Sequence, residues 1–324
     1  MTRVAVVGAG AFGKNHARVL SRMSGVELVA IADLDLSRAQ VLANEHNTRA
    51  FADVSELLGK IDAAVVATPT VTHETVAEAL LGAGIDVLVE KPIADSAEAG
   101  ERLTRLAEEN GRILQVGHLE RFNPAVTALA RACTVPLFFE IHRLSVFTPR
   151  SLDVDVVLDL MIHDLDIVLS LTGEKPEEIR AAGISILSPK VDIANVRLSF
   201  ASGCVANLTA SRVSTEQVRK LRLFQPGEYL AADYRRQDLT RLRVLPNELL
   251  PNEHRIGFEQ LTVERKEPLE LELASFLQIV RERGRPVVDG RQATEALRVA
   301  EEILATIKVH AQIVSETIQR SKPS

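Results

Sequence analysis

Short apolar runs alternate with amphipathic stretches through the first third of the chain. Arg3–Val7 is apolar and β-rich, and a helical stretch from Ala11 to about Met23 follows it. Glu27–Ala32 predicts a second strand, Leu36–His46 a helix, Ala50–Phe51 a short extended piece and Val54–Leu58 a short helix. Ala63–Ala67 is apolar without a break, the mark of a strand covered on both faces. Thr72–Gly82 and Ser96–Asn110 read as helices, the second stopped by Gly111. Asp86–Glu90 and Ile113–Gly117 read as strands. This alternation predicts a doubly wound parallel sheet, which takes ligands at the carboxyl ends of its strands.

The rhythm changes near residue 120. Asn123–Ala132 and Val156–Leu171 read as helices, and Leu137–Val146, Asp192–Phe200, Cys204–Ser211 and Val218–Gln225 as strands. Short turns such as Ala201-Ser202-Gly203 suit an antiparallel meander. In Asp192–Phe200 the residues Ala194, Val196, Leu198 and Phe200 share one face, and Asn195, Arg197 and Ser199 the other. Helices must cover that apolar face. Leu269–Arg283 and Gln292–Ile318 supply further helical stretches, and the Lys322-Pro323-Ser324 tail is expected to be disordered. The expected division is residues 1–119 and 120–324.

Composition narrows the function. The chain has 324 residues, a formal net charge of −6, and 46% hydrophobic and 25% charged residues, which fits an ordinary globular protein. A mildly acidic chain without Trp and with two Tyr is a poor nucleic-acid binder. The apolar run Val154–Leu171 is interrupted by Asp155, Asp159, His163, Asp164 and Asp166, so no membrane segment is expected. Cys133 and Cys204 are far apart in sequence and lack metal-ligand spacing. No metal is expected, and the cytoplasm is the expected compartment.

Gly8-Ala9-Gly10-Ala11-Phe12-Gly13 closes the first strand and opens the first helix. Gly8 permits the tight turn, Gly10 lets backbone approach a pyrophosphate, and Gly13 lets helix and strand pack closely. Asp33, at the end of the second strand, can bind ribose hydroxyls and would repel a 2′-phosphate, so NAD is expected over NADP. Thr68 and Pro69 end the strand Ala63–Ala67, and His73 opens the next helix. Glu90-Lys91-Pro92 ends the following strand. A Lys there is costly to bury unless paired or used, and a desolvated Lys can shuttle a proton. Asp159 and His163 are four apart on one helix face, with Asp166 three further on. An Asp beside a His can orient the ring for acid–base work.

In order and spacing, Gly8–Gly13, Ala67-Thr68-Pro69, Glu90-Lys91-Pro92 and Asp159 with His163 resemble the glucose-fructose oxidoreductase / inositol dehydrogenase / MocA family. The likeness covers nearly the whole chain. It implies an N-terminal Rossmann domain and a C-terminal α/β domain with a large, mostly antiparallel open sheet. It also implies a homodimer or homotetramer formed through that sheet face. Family roles make Lys91 and His163 catalytic and Asp159 a substrate-binding or orienting group. The implied cofactor contacts come from Gly8, Gly10, Ala11, Phe12, Gly13, Asp33, Thr68, Pro69, His73, Glu90 and Lys91. Gly117–Pro124 and Val157–Asp164 resemble a branch acting on a nucleotide sugar, which adds Arg121 and Asn123 as substrate contacts or domain-junction braces. The implied reaction is oxidation of a sugar secondary alcohol, first the C3 hydroxyl of UDP-N-acetylglucosamine. Another sugar or a polyol such as inositol, an NAD-dependent glycosidase and a non-catalytic NAD-binding regulator are the alternatives. Arg219, Lys220, Arg222, Arg235, Arg236, Arg241 and Arg243 fit a solvated sheet face or subunit contact better than a diphosphate site.

Overall fold

The computed structural model describes residues 1–148, 154–246 and 254–320, with backbone alone for 314–320. The tail Lys322-Pro323-Ser324 lies outside the described residues. The chain forms two compact units, Met1–Phe122 with Glu267–Leu297, and Asn123–Lys266 with Arg298–Ser324. The return of the chain to the first unit has no counterpart in the division at residue 119.

The first unit is built on β1 (Thr2–Val7), α1 (Ala11–Leu20), β2 (Val26–Ala32), α2 (Leu36–Glu45), β3 (Arg49–Phe51), β4 (Ala63–Val66), α3 (His73–Gly82), β5 (Asp86–Glu90), α4 (Ala97–Glu109) and β6 (Leu114–Gly117). Its strands pair in the order β3-β2-β1-β4-β5-β6, and every pairing is parallel. The order reverses beside β1, the switch point where such sheets bind dinucleotides. All four residues of β4 are buried, as the unbroken apolar run requires.

The second unit begins with α5 (Pro124–Ala132) and β7 (Phe138–Val146), then a π-helical turn, Val157–Met161, that leads into α6 (Ile162–Thr172). Next come β8 (Pro176–Ile184), β9 (Ile193–Phe200), β10 (Val205–Ser214), β11 (Val218–Gln225), β12 (Glu228–Asp233), β13 (Asp238–Pro246) and β14 (His254–Leu261). Among the described residues these make one sheet, ordered β14-β13-β12-β11-β7-β10-β9-β8. Its pairings are antiparallel except β7 with β10. Ala194, Val196, Leu198 and Phe200 join its core, as their alternation requires.

Four of these strands escaped the sequence reading. Three of the nine residues of β8, Glu177, Glu178 and Arg180, are charged, and β13 and β14 carry Arg241, Arg243 and Glu259, so charge hides their apolar alternation. The last helices are α7 (Pro268–Glu282) and α8 (Gly290–Arg320). Helix α7 buries Leu273, Phe276 and Leu277 in the core of the first sheet.

Candidate active site

The glycine turn has the geometry its sequence implies. Gly8 sits at φ +102°, and a Cβ there would lie 2.5 Å from the Ala67 carbonyl oxygen. A Cβ on Gly13 would lie 1.8 Å from the Gly8 carbonyl oxygen, so only glycine lets α1 meet β1. A Cβ on Gly10 would meet nothing within 4 Å, which leaves backbone open to a ligand. Among the described residues no side chain caps the start of α1, so the N–H groups of Ala11, Phe12 and Gly13 are available to a pyrophosphate.

Asp33 is anchored and still has capacity. Its Oδ2 accepts the Ala9 N–H at 2.6 Å and its Oδ1 accepts the Asp35 N–H at 2.8 Å. A carboxylate has about four acceptor positions, so lone pairs remain for ribose hydroxyls. The open glycine and this half-used carboxylate fit NAD.

The loops after β4 and β5 are tied together by His73, which is 1% exposed. Its Nδ1 lies 2.9 Å from the Pro92 carbonyl oxygen and its Nε2 2.9 Å from that of Thr68. Burial is the largest influence on the ring and lowers its pKa, against the two carbonyls and Glu90. The neutral ring then donates to one carbonyl at a time. With both nitrogens against backbone carbonyls, the His73 ring braces the two loops. Thr68 Oγ1 accepts a hydrogen bond from Thr72 Oγ1 at 2.9 Å.

Glu90 is largely buried beside Lys91. Its Oε1 meets His16 Nε2 at 2.8 Å, and its Oε2 accepts the Lys91 backbone N–H at 3.3 Å. Burial acts most strongly on this carboxyl and raises its pKa. The His16 hydrogen bond, with the charges of His16 and Lys91, outweighs burial and leaves Glu90 below its ordinary value.

Sequence reasoning missed His16. It occupies the buried stripe Gly13, His16, Ala17 and Leu20 of α1, and a His inside such a stripe is the available signal.

Asp159 and His163 lie on the second unit, where the expected helical stretch opens with a π turn. The Ile162 N–H bonds to the Val157 carbonyl, a five-residue step that defines the π turn, and regular helix resumes from Ile162. Single π turns recur at functional sites. The neighbouring Asp164 is spent elsewhere: Arg143 grips it bidentately at 2.6 and 2.9 Å, with both side chains at most 3% exposed.

Arg121 donates to the Val287 carbonyl at 3.3 Å. Asn123 caps α5 by accepting the Ala125 N–H, donates to the Tyr234 carbonyl at 3.0 Å, and is 3% exposed. These bonds brace the start of α5. On the sheet, Arg222 pairs with Glu140, Arg241 and Arg243 with Glu259, and Arg236 with Asp233 and Asp238.

Fold and glycine turn together define an NAD-binding oxidoreductase. Residues 2–118 match an oxidoreductase family with an NAD-binding Rossmann fold, and residues 139–224 match the GFO/IDH/MocA C-terminal domain. The chain belongs to the GFO/IDH/MocA family. It is 34% identical over 311 residues to UDP-N-acetylglucosamine 3-dehydrogenase of Acidithiobacillus ferrooxidans, covering 96% of this chain and 98% of that one. The solved structure of that enzyme superposes with a TM-score of 0.88, covering 95% of this chain and 98% of that one. Inositol 2-dehydrogenase of Rubrobacter xylanophilus is 32% identical, over 65% of each chain. An Agrobacterium radiobacter oxidoreductase solved with NAD+, L-tartaric acid and magnesium shares the fold, with a TM-score of 0.83, 17% identity and coverage of 95% of this chain and 96% of that one. The protein is an NAD-dependent oxidoreductase. No helix among the described residues is long and apolar enough to cross a membrane.

Proposed function

We propose that this enzyme oxidises the C3 hydroxyl of UDP-N-acetylglucosamine with NAD. The carrying observation is the reach of the likeness. Similarity to the nucleotide-sugar enzyme runs through 96% of the chain, whereas similarity to the inositol enzyme covers 65%. Likeness that runs the length of both units weighs more than likeness to two thirds of the chain.

Bound NAD supplies the carbon that accepts the hydride. Lys91 or His163 takes the hydroxyl proton, and Asp159, four residues before His163, orients the ring or holds the sugar. Backbone N–H groups at the start of α1 hold the pyrophosphate, and Asp33 holds the adenosine ribose. Placing these groups before reaction is the protein's main contribution. The keto sugar is a substrate for an aminotransferase, on a route to amide-linked lipid A in the cytoplasm.

A homodimer or homotetramer forms through the open sheet face. Ile256 and Phe258 on β14 are 73% and 70% exposed, and Val244, paired with Ile256 on β13, is also exposed. They make a contiguous apolar strip suited to a second copy.

The test is NADH absorbance with NAD and a panel of UDP-sugars, myo-inositol and free hexoses. NADH should accumulate with UDP-N-acetylglucosamine. Faster turnover of myo-inositol would overturn the assignment, and release of free sugar without NADH would indicate a glycosidase.

A further inference from the structure

A second buried carboxyl lies behind Glu90. Leu88 pairs with Gln115 and Glu90 with Gly117 across β5 and β6. A Cβ on Gly117 would lie 3.2 Å from Glu90 Oε2, so the Glu90 carboxylate folds over the sheet face to which Gly117 turns its open side. Gln115, two residues earlier, points to the same face, and its Nε2 reaches the Glu272 carbonyl on α7 at 3.4 Å. The Glu272 side chain is 0% exposed, and neither of its carboxyl oxygens has a hydrogen-bond partner among the described residues. His16 reaches the cluster from α1, with its Nδ1 also buried and without a hydrogen-bond partner among the described residues. The titratable groups facing Glu90 are therefore His16 on α1, His73 on α3, Lys91 next in the chain and Glu272 on α7.

Two neighbouring carboxyls in so dry a place cannot both ionise, because each negative charge raises the cost of the other. Glu90 has the donors, from His16 and the Lys91 N–H. Glu272 has none, so the proton stays there. Burial first, and the Glu90 charge second, raise the Glu272 carboxyl well above its ordinary value.

We propose that His16, Glu90 and Glu272 act as one buried unit with a single negative charge, on Glu90, and that this charge, placed beside Lys91, governs when Lys91 carries its proton. The proposal rests on the reading of Lys91 as a catalytic group. It makes His16 a positioning residue, which acts through Glu90 without touching substrate, and Glu272 the protonated, neutral member that leaves the charge on Glu90. A second negative charge there would hold the Lys91 ammonium more strongly and delay its service as a base.

Two measurements on the full-length, NAD-loaded enzyme test this. The first is turnover against pH, read at the low-pH limb where activity rises as the base loses its proton. Glu90→Gln should move that limb down by about one pH unit or more, and Glu272→Gln by less than about 0.3. His16→Leu should move it in the direction of Glu90→Gln, and His16→Gln, which keeps an N–H donor, should bring it back. A packing role alone would move no limb. The second measurement is infrared spectroscopy at neutral pH, which needs no turnover. A protonated-carboxyl band should be present, vanish in Glu272→Gln and persist in Glu90→Gln. Absence of the band, or a Glu272→Gln limb shifted as far as that of Glu90→Gln, overturns the proposal. Full turnover in Lys91→Met would instead strike the underlying reading, and the coupling with it, whatever the band shows.

Discussion

The two units bury charge in opposite ways. In the second, Arg143 and Asp164 close on each other with two short hydrogen bonds and leave little unmet. In the first, two carboxyls and an imidazole share too few donors: Glu90 is matched by His16, and Glu272 by nothing among the described residues. A closed pair fixes packing. An open cluster costs stability and stays responsive to protons, and it sits next to the Lys read as catalytic. Asp33 lies between these extremes, with one hydrogen bond on each oxygen and room for a ligand.

The contrast can be broken at four points. Asp164→Ala should cost the most, about 3–5 kcal/mol, because it strands a buried guanidinium. The urea midpoint reads this, and pairing Asp164→Leu with Arg143→Met should recover most of the loss. Lys91→Met should lower turnover about 100-fold or more while NAD affinity, followed by calorimetry, stays within about twofold. Unchanged turnover would leave the first cluster a structural feature like the second. Asp33→Ser should shift the NAD/NADP preference by about tenfold in kcat/KM, the scale of one lost charged contact. An unmoved ratio would show that Asp33 does not read the ribose.

The smallest effect depends on pH. A carboxyl kept protonated by burial obliges folding to take up a proton wherever the unfolded chain is ionised. Its cost is absent below the unfolded pKa, grows as pH rises above that value, and levels off above the raised folded value. Glu272→Gln removes the cost. Its melting temperature should match the parent near pH 4 and exceed it by about 2–4 °C at pH 8. A constant difference at both pH values would mean that Glu272 does not change its charge between the two states.

Legibility differed between the units for a physical reason. The first sheet is covered on both faces, so β1 and β4 are written as unbroken apolar runs that periodicity finds. The second sheet leaves one face to solvent, and charged residues within strands such as β8 and β14 break the apolar pattern enough for them to be missed. Asn123 and His73 show the matching limit for sites. A polar residue at a helix start looks the same in sequence whether it meets a ligand or a carbonyl, and in both cases partners distant in sequence took the side chain.

By itself the sequence determined the parallel sheet, the glycine turn, Asp33 and the candidate chemistry of Lys91, Asp159 and His163, because periodicity and motif spacing are local properties. Only the tertiary structure decided that α7 returns to the first sheet and carries Glu272 to the neighbourhood of Glu90. Glu272 lies 182 residues from Glu90 in the chain, and no local pattern specifies which buried carboxyls will meet.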